Sequence, residues 1–565
     1  MDKQLKRGMN ENPKTRSIAK KVTAFALLGS MLFLSLACAM SSGYAASQTA
    51  TAVYWDPTEA VESPPTQAPT QPASQVMPTL TKAVPTAAPT AVPPTSTPAA
   101  AAVSVTNTPS TLVTATPSME DDTPILYYSQ AGDTLPAISA RFDVIPDVIS
   151  SPDDISLISL IDPNQLLIIP RRFDDDEITS KEILMPDSEI VFSPSAIDFD
   201  VDAYVREAGG YLNEYREWRV GGWYTGIEII ETVAIENSIN PRLLLAMLEY
   251  ESNWVTGQPA NLAQTDYPMG WNDFHLKGLY RQLSWAVQQL SIGYYGWRAG
   301  LVTELVFTNN ESIRIAPELN AGTVAIQYMM AQLYNDREWT GALYDPDSLP
   351  ALYEDMFGNP WTRALSVEPL LPTHLQQPEM ELPFQENIRW SMTGGPHSAW
   401  GPDGALAALD FAPASQDHGC VESTRWVTAS TPGLVVRSEQ GAVIVDLDGD
   451  GHEQTGWALL YMHIATKDRV EAGTWLSTDD KIGHPSCEGG VSNGTHVHFA
   501  RKYNGEWVLA DGPLPFVLSG WQAHAGDIPY EGFLTKDDQV ISASQVGSFE
   551  SCIVRCDDFV NSICK

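Results

Sequence analysis

The spacing of apolar residues divides the chain into segments of different texture. Between residues 197 and 380 apolar positions recur at helical intervals, as in "WYTGIEIIETVAIENSINPRLLLAMLEYESNW". "NSINP" splits that stretch, and Pro241 predicts the first turn of a new helix there. From 386 to 540 short apolar runs such as "GAVIVDL", "WALLYMHI" and "THVHFA" alternate with glycine-rich turns. This second pattern predicts an antiparallel β-sheet.

A shorter pattern precedes the helical stretch. Tyr127–Gln130 is typical of a strand, Asp133 or Thr134 can cap a helix, and Leu166–Ile169 is typical of a closing strand. With "AGDTLPAISARF" and "PNQLLIIP", the segment 125–173 resembles a LysM domain of β-α-α-β order. The resemblance implies binding of N-acetylglucosamine-containing glycans such as peptidoglycan.

The same segment departs from the LysM pattern in two places. Asn164 stands where glycine is common, and Ser150-Ser151-Pro152 stand where an asparagine often ends the second helix. A LysM-shaped fold that has lost sugar binding therefore remains an alternative.

The N-terminal residues predict export. A basic stretch precedes the apolar, uncharged run Val22–Met40, and small residues follow it. Residues 1–46 are therefore a cleaved signal peptide, a lipid anchor on Cys38 or a membrane anchor, and each places the rest of the chain outside the cytoplasm. Residues 47–118 are rich in Pro and Thr and predict a disordered, extended stalk.

Charge and cysteine content bear on the class of ligand and on the redox compartment. The chain has 70 acidic and 33 basic residues, a formal net charge of -37, which argues against nucleic-acid binding. Cys420 and Cys487 flank the histidine-rich region and can pair in an oxidising compartment. Cys552, Cys556 and Cys564 fall in a tail, residues 541–565.

Seven of the ten histidines lie between His397 and His498. In a strand, residues two apart point to the same face, so His496 and His498 project into one site while Val497 packs behind them. Two imidazoles on one face suit a zinc centre, where a catalytic site offers three protein ligands and an open position.

Three segments in this region resemble the lysostaphin-type (M23) zinc metallopeptidases, from about 390 to 509. They are "TGGPHSAWGPDGALAALDFAP", "WALLYMHI" and "GHPSCEGGVSNGTHVHFA". The resemblance implies His397, Asp410 and His498 as metal ligands. It also implies that His463 and His496 act beside the metal in hydrolysing a peptide bond of peptidoglycan.

The first ligand departs from the family spacing H-x-x-x-D. Leu406 stands four residues before Asp410, whereas His397 stands thirteen before it. We interpret "SAWGPDGALAA" as a loop inserted between the ligands. His418 is the alternative source of the nitrogen ligand.

Two weaker signals concern acidic residues. Glu251, at the end of the helix "PRLLLAMLEY", resembles the general acid of lysozyme-like lytic transglycosylases, although an ordinary helix-terminal glutamate explains it equally well. Asp446, Asp448 and Asp450 resemble the start of a calcium loop, but Trp457 replaces the closing glutamate, and an acidic hairpin turn is favoured.

The sequence therefore predicts a multidomain protein. It has a LysM module, a mainly α lysozyme-like domain and a mainly β metallopeptidase domain. We expect an exported zinc endopeptidase that binds and cuts peptidoglycan. The alternatives are a metal-free wall-binding scaffold, which would purify without zinc, and a bifunctional enzyme with a glycosidase at Glu251.

Overall fold

A computed structural model describes residues 123–415 and 419–555. The predicted export segment, the predicted stalk, His418, Cys556 and Cys564 lie outside the described residues. Among the helices of the described residues, none is long and apolar enough to cross a membrane.

Helices predominate in the described chain up to residue 364, and from residue 389 onward its regular elements are strands. The helices are α1 Leu135–Phe142, α2 Val201–Ala208, α3 Tyr211–Glu214, α4 Gly226–Asn237, α5 Pro241–Ser252, α6 Leu262–Asp266, α7 Leu279–Arg298, α8 Ala321–Leu333, α9 Asp336–Tyr344, α10 Leu349–Phe357 and α11 Pro360–Ala364. The first strands are β1 Ile125–Tyr128, β2 Leu166–Ile169, β3 Arg216–Arg219, β4 Gly222–Thr225, β5 Glu304–Val306 and β6 Ser312–Arg314. The later strands are β7 Arg389–His397, β8 Ala408–Pro413, β9 Val427–Thr428, β10 Gly433–Glu439, β11 Ala442–Asp446, β12 Trp457–Met462, β13 Trp475–Leu476, β14 Lys481–Gly483, β15 Val497–Tyr503, β16 Glu506–Trp507, β17 Val517–Leu518, β18 Trp521–Ala525, β19 Gly532–Lys536, β20 Gln539–Ser542 and β21 Cys552–Val554.

The N-terminal module pairs β1 with β2 and packs α1 against them. The Thr134 side chain caps α1 by accepting a bond from Ala137 N, as its sequence position suggests. The expected second α-helix is wrong: a three-residue 3₁₀ turn, Pro146–Val148, takes its place. Ile149 is already extended and Ser150 pairs with Ile168 of β2, so the chain joins the strand instead of continuing as a helix. Asn164 has φ +67°, which suits the position that glycine often holds.

The helical region is built around α5, α7 and α8. Asn240 accepts a bond from Arg242 N with Pro241 in the first turn of α5, so the predicted helix start is confirmed. Helices α7 and α8 approach closely at Gly293, where a Cβ would meet the Cβ of Tyr328 at 2.8 Å. A single apolar core joins the helices, so burial of apolar surface holds the region together.

The sheet region contains a nine-stranded antiparallel sheet, as the alternating pattern predicts. The strand order is β13-β10-β11-β12-β15-β8-β7-β21, and β16 pairs with β15. Strand β21 extends the sheet beyond residue 540, the predicted end of the domain. A four-stranded sheet, β17 to β20, lies beside β7.

A buried ion cluster joins the helical region to the sheet region. Arg298 of α7 contacts Glu506 of β16 at 3.0 Å and Asp187 at 2.9 Å. The Tyr294 hydroxyl donates to Glu506 at 3.0 Å, and Trp507 N donates to the Tyr295 hydroxyl at 3.0 Å. Buried charges are tolerated when they are paired and hydrogen-bonded, and here α7 supplies Arg298 and Tyr294 while the sheet region supplies Glu506.

Candidate metal centre

Strand register brings three predicted ligands together. In the pairing of β8 with β15, Asp410 stands directly opposite His498. On the other side of β8, Gly394 of β7 stands opposite Asp410. A Cβ at Gly394 would lie 2.7 Å from Asp410 Oδ2, so glycine leaves room for the carboxylate. His397 ends β7 and reaches the same point, although it lies thirteen residues before Asp410.

The three side chains meet within ligand distance of one ion. His397 Nε2 and His498 Nδ1 each lie 3.2 Å from Asp410 Oδ1. The two ring nitrogens lie 3.0 Å apart. All three residues are buried, and their ligand atoms lie within 4.8 Å of one another.

Backbone carbonyls fix the orientation of both ligand histidines. His397 Nδ1 donates to Gly395 O at 2.8 Å, and His498 Nε2 donates to Ala399 O at 3.0 Å. Because a carbonyl oxygen only accepts, these ring nitrogens carry the protons. The nitrogens that face the centre, His397 Nε2 and His498 Nδ1, therefore carry lone pairs in the neutral rings.

This arrangement leaves an uncompensated set of acceptors. Two ring lone pairs and Asp410 Oδ1 face one another, and that buried oxygen has no hydrogen-bond donor. A proton on His397 would relieve one contact, whereas a divalent cation relieves all three. Two nitrogens and a carboxylate oxygen are the ligand set that zinc takes in catalytic sites, so the residues present fit zinc.

The charges of the cluster follow from its surroundings. Burial alone would raise the pKa of Asp410, but the imidazoles of His397 and His496 outweigh burial and hold that pKa well below its usual value. Burial lowers the pKa of His498. Burial also opposes charge on His397, yet the Asp410 carboxylate outweighs it and raises the pKa of His397. The carboxylate is thus the anionic centre of the group.

The two further histidines predicted for the site lie beside the cluster. His496 Nε2 is 3.5 Å from Asp410 Oδ1, and its Nδ1 donates to Gly494 O at 2.7 Å. The ring of His463 lies 4.5 Å from that of His496, and its Nδ1 donates to Glu488 O at 3.0 Å. Burial, helped by the neighbouring imidazoles, lowers the pKa of His463 to about 3, so this ring is neutral at physiological pH.

Tyr530 is a residue of the centre that sequence reasoning missed. Its ring stacks on His397 with centroids 4.1 Å apart and planes at 21°. Tyr530 N donates to Pro396 O at 3.2 Å, and its carbonyl accepts from Gly395 N at 2.8 Å. The residue has φ +72° and lies in the turn between β18 and β19. No motif marks it, because its position depends on how that turn folds onto β7.

A disulfide lies close to the loop that orients His463 and His496. The predicted bond between Cys420 and Cys487 is confirmed. It ties the segment after β8 to the loop that carries Glu488 and Gly494, whose carbonyls orient His463 and His496. The covalent link restricts the loop that holds these two carbonyls.

Glu251 lies in the helical region, apart from the histidines. Its carboxylate is enclosed near Gly270 and accepts the Tyr334 hydroxyl at 2.8 and 2.9 Å. Burial raises the pKa of Glu251 to about 7. The group can therefore hold a proton near neutral pH, as a general acid must.

The acidic loop after β11 forms the turn favoured by the sequence. Asp446 accepts backbone bonds from Asp448, Gly449 and Gly451 at 2.9 to 3.2 Å. Asp450 accepts from His452 N and from the Thr455 hydroxyl. The carboxylates hold the turn through these bonds. One oxygen from each of Asp446, Asp448 and Asp450 also lies within 4.8 Å of the others, but acidic groups exposed to solvent commonly cluster without an ion, so calcium is not supported.

The helical region matches a known protein family. The family described as "LasA, N-terminal domain" matches residues 183–372. Protease LasA of Pseudomonas aeruginosa is 25% identical over 358 residues, which cover 60% of this chain and 77% of that protein. The segment we predicted to be lysozyme-like thus resembles the LasA N-terminal domain, and the lysozyme-like and LysM interpretations remain predictions.

Further similarity concerns metallopeptidases. The β-lytic metalloendopeptidase of Lysobacter enzymogenes is 25% identical over 167 residues, 28% of this chain and 90% of that protein. The solved structure of the M23 metalloprotease pseudoalterin is 24% identical, covers 30% of this chain and 96% of that chain, and gives a TM-score of 0.25. The two sequence matches, to protease LasA and to the β-lytic metalloendopeptidase, support a metallopeptidase.

Proposed function

We propose that the protein is an exported, zinc-dependent endopeptidase that cuts the stem or cross-bridge peptides of peptidoglycan. The observation that carries this proposal is the buried group of His397, Asp410 and His498, in which three acceptors face one another. A divalent cation is the partner that such a group lacks.

The roles of the residues follow from the atoms they present. His397 Nε2, Asp410 Oδ1 and His498 Nδ1 would hold zinc, which when bound polarises a scissile carbonyl and acidifies water. His463 and His496 donate their Nδ1 protons to carbonyls, so each presents Nε2 as the atom that can accept or return a proton. Together they suit general acid–base work on a peptide bond.

The proposed substrate and location are supported outside the metal centre. The basic and apolar N-terminus is typical of export, and the segment 125–173 resembles a glycan-binding LysM domain. A module that binds the polymer would raise the local concentration of peptide at the metal centre. Relatives named as a protease and a metalloendopeptidase support the reaction class.

Digestion of purified peptidoglycan tests the proposal. Wild type is expected to release peptide fragments, which mass spectrometry assigns to a bond, and His498→Ala is expected to release none. His452→Ala is the matched control, because His452 belongs to the acidic turn after β11. Equal peptide release by wild type and His498→Ala would refute the proposal.

Metal content separates the enzyme from the alternative of a wall-binding scaffold. The enzyme should hold one zinc per chain, measured by elemental analysis after dialysis. A scaffold that kept the fold without the chemistry would bind peptidoglycan with neither zinc nor peptide release.

A second activity is proposed for Glu251 on one observation. A carboxyl group with a pKa near 7 and a single donor, the Tyr334 hydroxyl, has the properties of a general acid for a glycosidic bond. Glu251→Gln would then abolish release of new sugar ends while peptide release continues. If the variant and the wild type release sugar ends equally, Glu251 has no such role.

A further inference from the structure

The loop that joins the first two ligands packs against the helical region. We call Ser398–Ala407 the metal-site loop; it runs from His397 to the start of β8. Its buried residues Ala399, Ala405 and Ala407 belong to an apolar core that the helices share with one face of the sheet, whereas Leu409 and Phe411 of β8 belong to the core on the other face. The loop is therefore packed between the helices and the sheet that carries the ligands.

Helix α7 makes two specific contacts with this loop. Gln288 Nε2 donates to Asp403 Oδ2 at 2.6 Å. One turn further along, Ser291 Oγ lies against Gly404, where a Cβ would collide with it. Gly404 has φ +120°, a conformation that other residues rarely adopt. The loop is thus shaped to the surface of α7.

Hydrogen bonds inside the loop extend from that contact to a ligand. Ser398 Oγ lies 3.0 Å from the carbonyl oxygens of Asp403 and Trp400. Ala399 N donates to Ala405 O at 2.9 Å. Ala399 O then accepts from His498 Nε2 at 3.0 Å. A continuous path therefore runs from α7, through the loop, to the ring that faces the metal centre.

We infer that Gln288 is a positioning residue for the metal centre, acting through Asp403 and the metal-site loop on the ring of His498. The inference rests on the proposed function, since it assigns a helical-region residue to the zinc site. By holding Ala399 O in place, the contact fixes Nε2 of His498 as the protonated atom and leaves Nδ1 free for the metal.

Zinc binding and the contact between Gln288 and Asp403 should be thermodynamically linked. If this contact preorganises the ligands and so strengthens zinc binding, then bound zinc must stabilise the contact by the same factor. Loss of the Gln288 contact should weaken zinc binding although no ligand has been changed.

Zinc affinity of the full chain tests the inference. Dissociation constants are measured by competition with a chromophoric chelator for wild type, Gln288→Ala and Gln289→Ala. Gln289 is the matched control, since it is the next residue of α7, is also half-buried and does not bond the metal-site loop. Because outer-shell partners change metal affinity by about 10- to 100-fold and Gln288 lies one step further out, we expect about threefold to tenfold weaker binding for Gln288→Ala alone.

A charge swap provides the second arm. Gln288→Glu sets a carboxylate against Asp403 and should also weaken zinc binding, and adding Asp403→Asn restores a donor and an acceptor and should recover the affinity. The visible spectrum of the cobalt-substituted protein should change and recover in parallel. Equal affinities for Gln288→Ala and Gln289→Ala, or no recovery in the double variant, overturn the inference. Wild type that binds no zinc overturns the proposed function as well.

Discussion

The helical region and the sheet region each enclose one prominent carboxylate, and their surroundings drive the two in opposite directions. Glu251 has a single donor, Tyr334, and burial raises its pKa to about 7. Asp410 is buried among imidazoles that hold its pKa well below the usual value. The comparison shows that neighbours, more than burial itself, decide whether an enclosed carboxyl group holds a proton or stays an anion that can bind a metal.

The largest expected effect comes from removing the anion of the sheet region. Asp410→Asn leaves the shape of the side chain but removes its charge, so zinc binding and peptide release should both fall. Because changes to outer-shell partners alone cost about 10- to 100-fold in affinity, we expect more than about a hundredfold loss in peptide release. Glu251→Gln should keep peptide release at the wild-type rate. If Asp410→Asn released peptides at the wild-type rate, Asp410 would not be the anion that binds the metal.

Zinc removal should change stability only where the anion is present. A ligand at 100 times its dissociation constant stabilises the folded state by about 2.7 kcal/mol. Chelation should therefore lower the thermal midpoint of wild type and of Glu251→Gln alike, and added zinc should restore it. In Asp410→Asn the midpoint should not respond to chelator or zinc, as measured by calorimetry.

The charge state of Glu251 should appear in the pH dependence of stability. Its folded pKa of about 7 lies above the ordinary value of 4.5, so the folded state binds the proton more tightly than the unfolded state. Wild type should therefore lose stability relative to Glu251→Gln as the pH rises from about 4 to about 8, by about 1–3 kcal/mol. Denaturant unfolding at both pH values measures the difference, and a pH-independent difference would show that the pKa is not raised.

The smallest effect concerns the single donor of Glu251. The Tyr334 hydroxyl favours the charged carboxylate, so Tyr334→Phe should raise the pKa of Glu251 further. A hydrogen bond to a charged group is worth about 1.5 kcal/mol, which corresponds to about one pH unit. Carbon NMR titration of the glutamate carboxyl measures this, with Glu251→Gln to assign the signal. A lower midpoint in Tyr334→Phe would contradict the assigned role.

The sequence predicts the side chains of the metal centre better than it predicts the backbone groups that orient them. His496 and His498 follow from strand periodicity, whereas His397 and Asp410 follow only from the resemblance to the lysostaphin-type peptidases. Ala399, Gly395, Glu488 and Gly494 act through backbone carbonyls, which leave no trace in residue identity.

Other features depend on tertiary contacts that a local pattern does not contain. Tyr530 meets His397 only because a distant turn folds onto β7, and Gln288 meets Asp403 across two regions. The second helix of the N-terminal module follows from resemblance alone, and the structure replaces it with a short turn because Ser150 pairs with Ile168 of β2.

The ion cluster around Arg298 bears on how the protein can be shortened. A polypeptide starting at residue 386 would leave Glu506 without Arg298 and present Trp507, now buried, to water. In such a fragment Glu506 would be an unpaired charge, and the exposed Trp507 beside it would form an apolar surface patch. Both changes favour aggregation. A soluble fragment should therefore keep Arg298 together with Glu506, which means that it must retain the helices as well as the sheet.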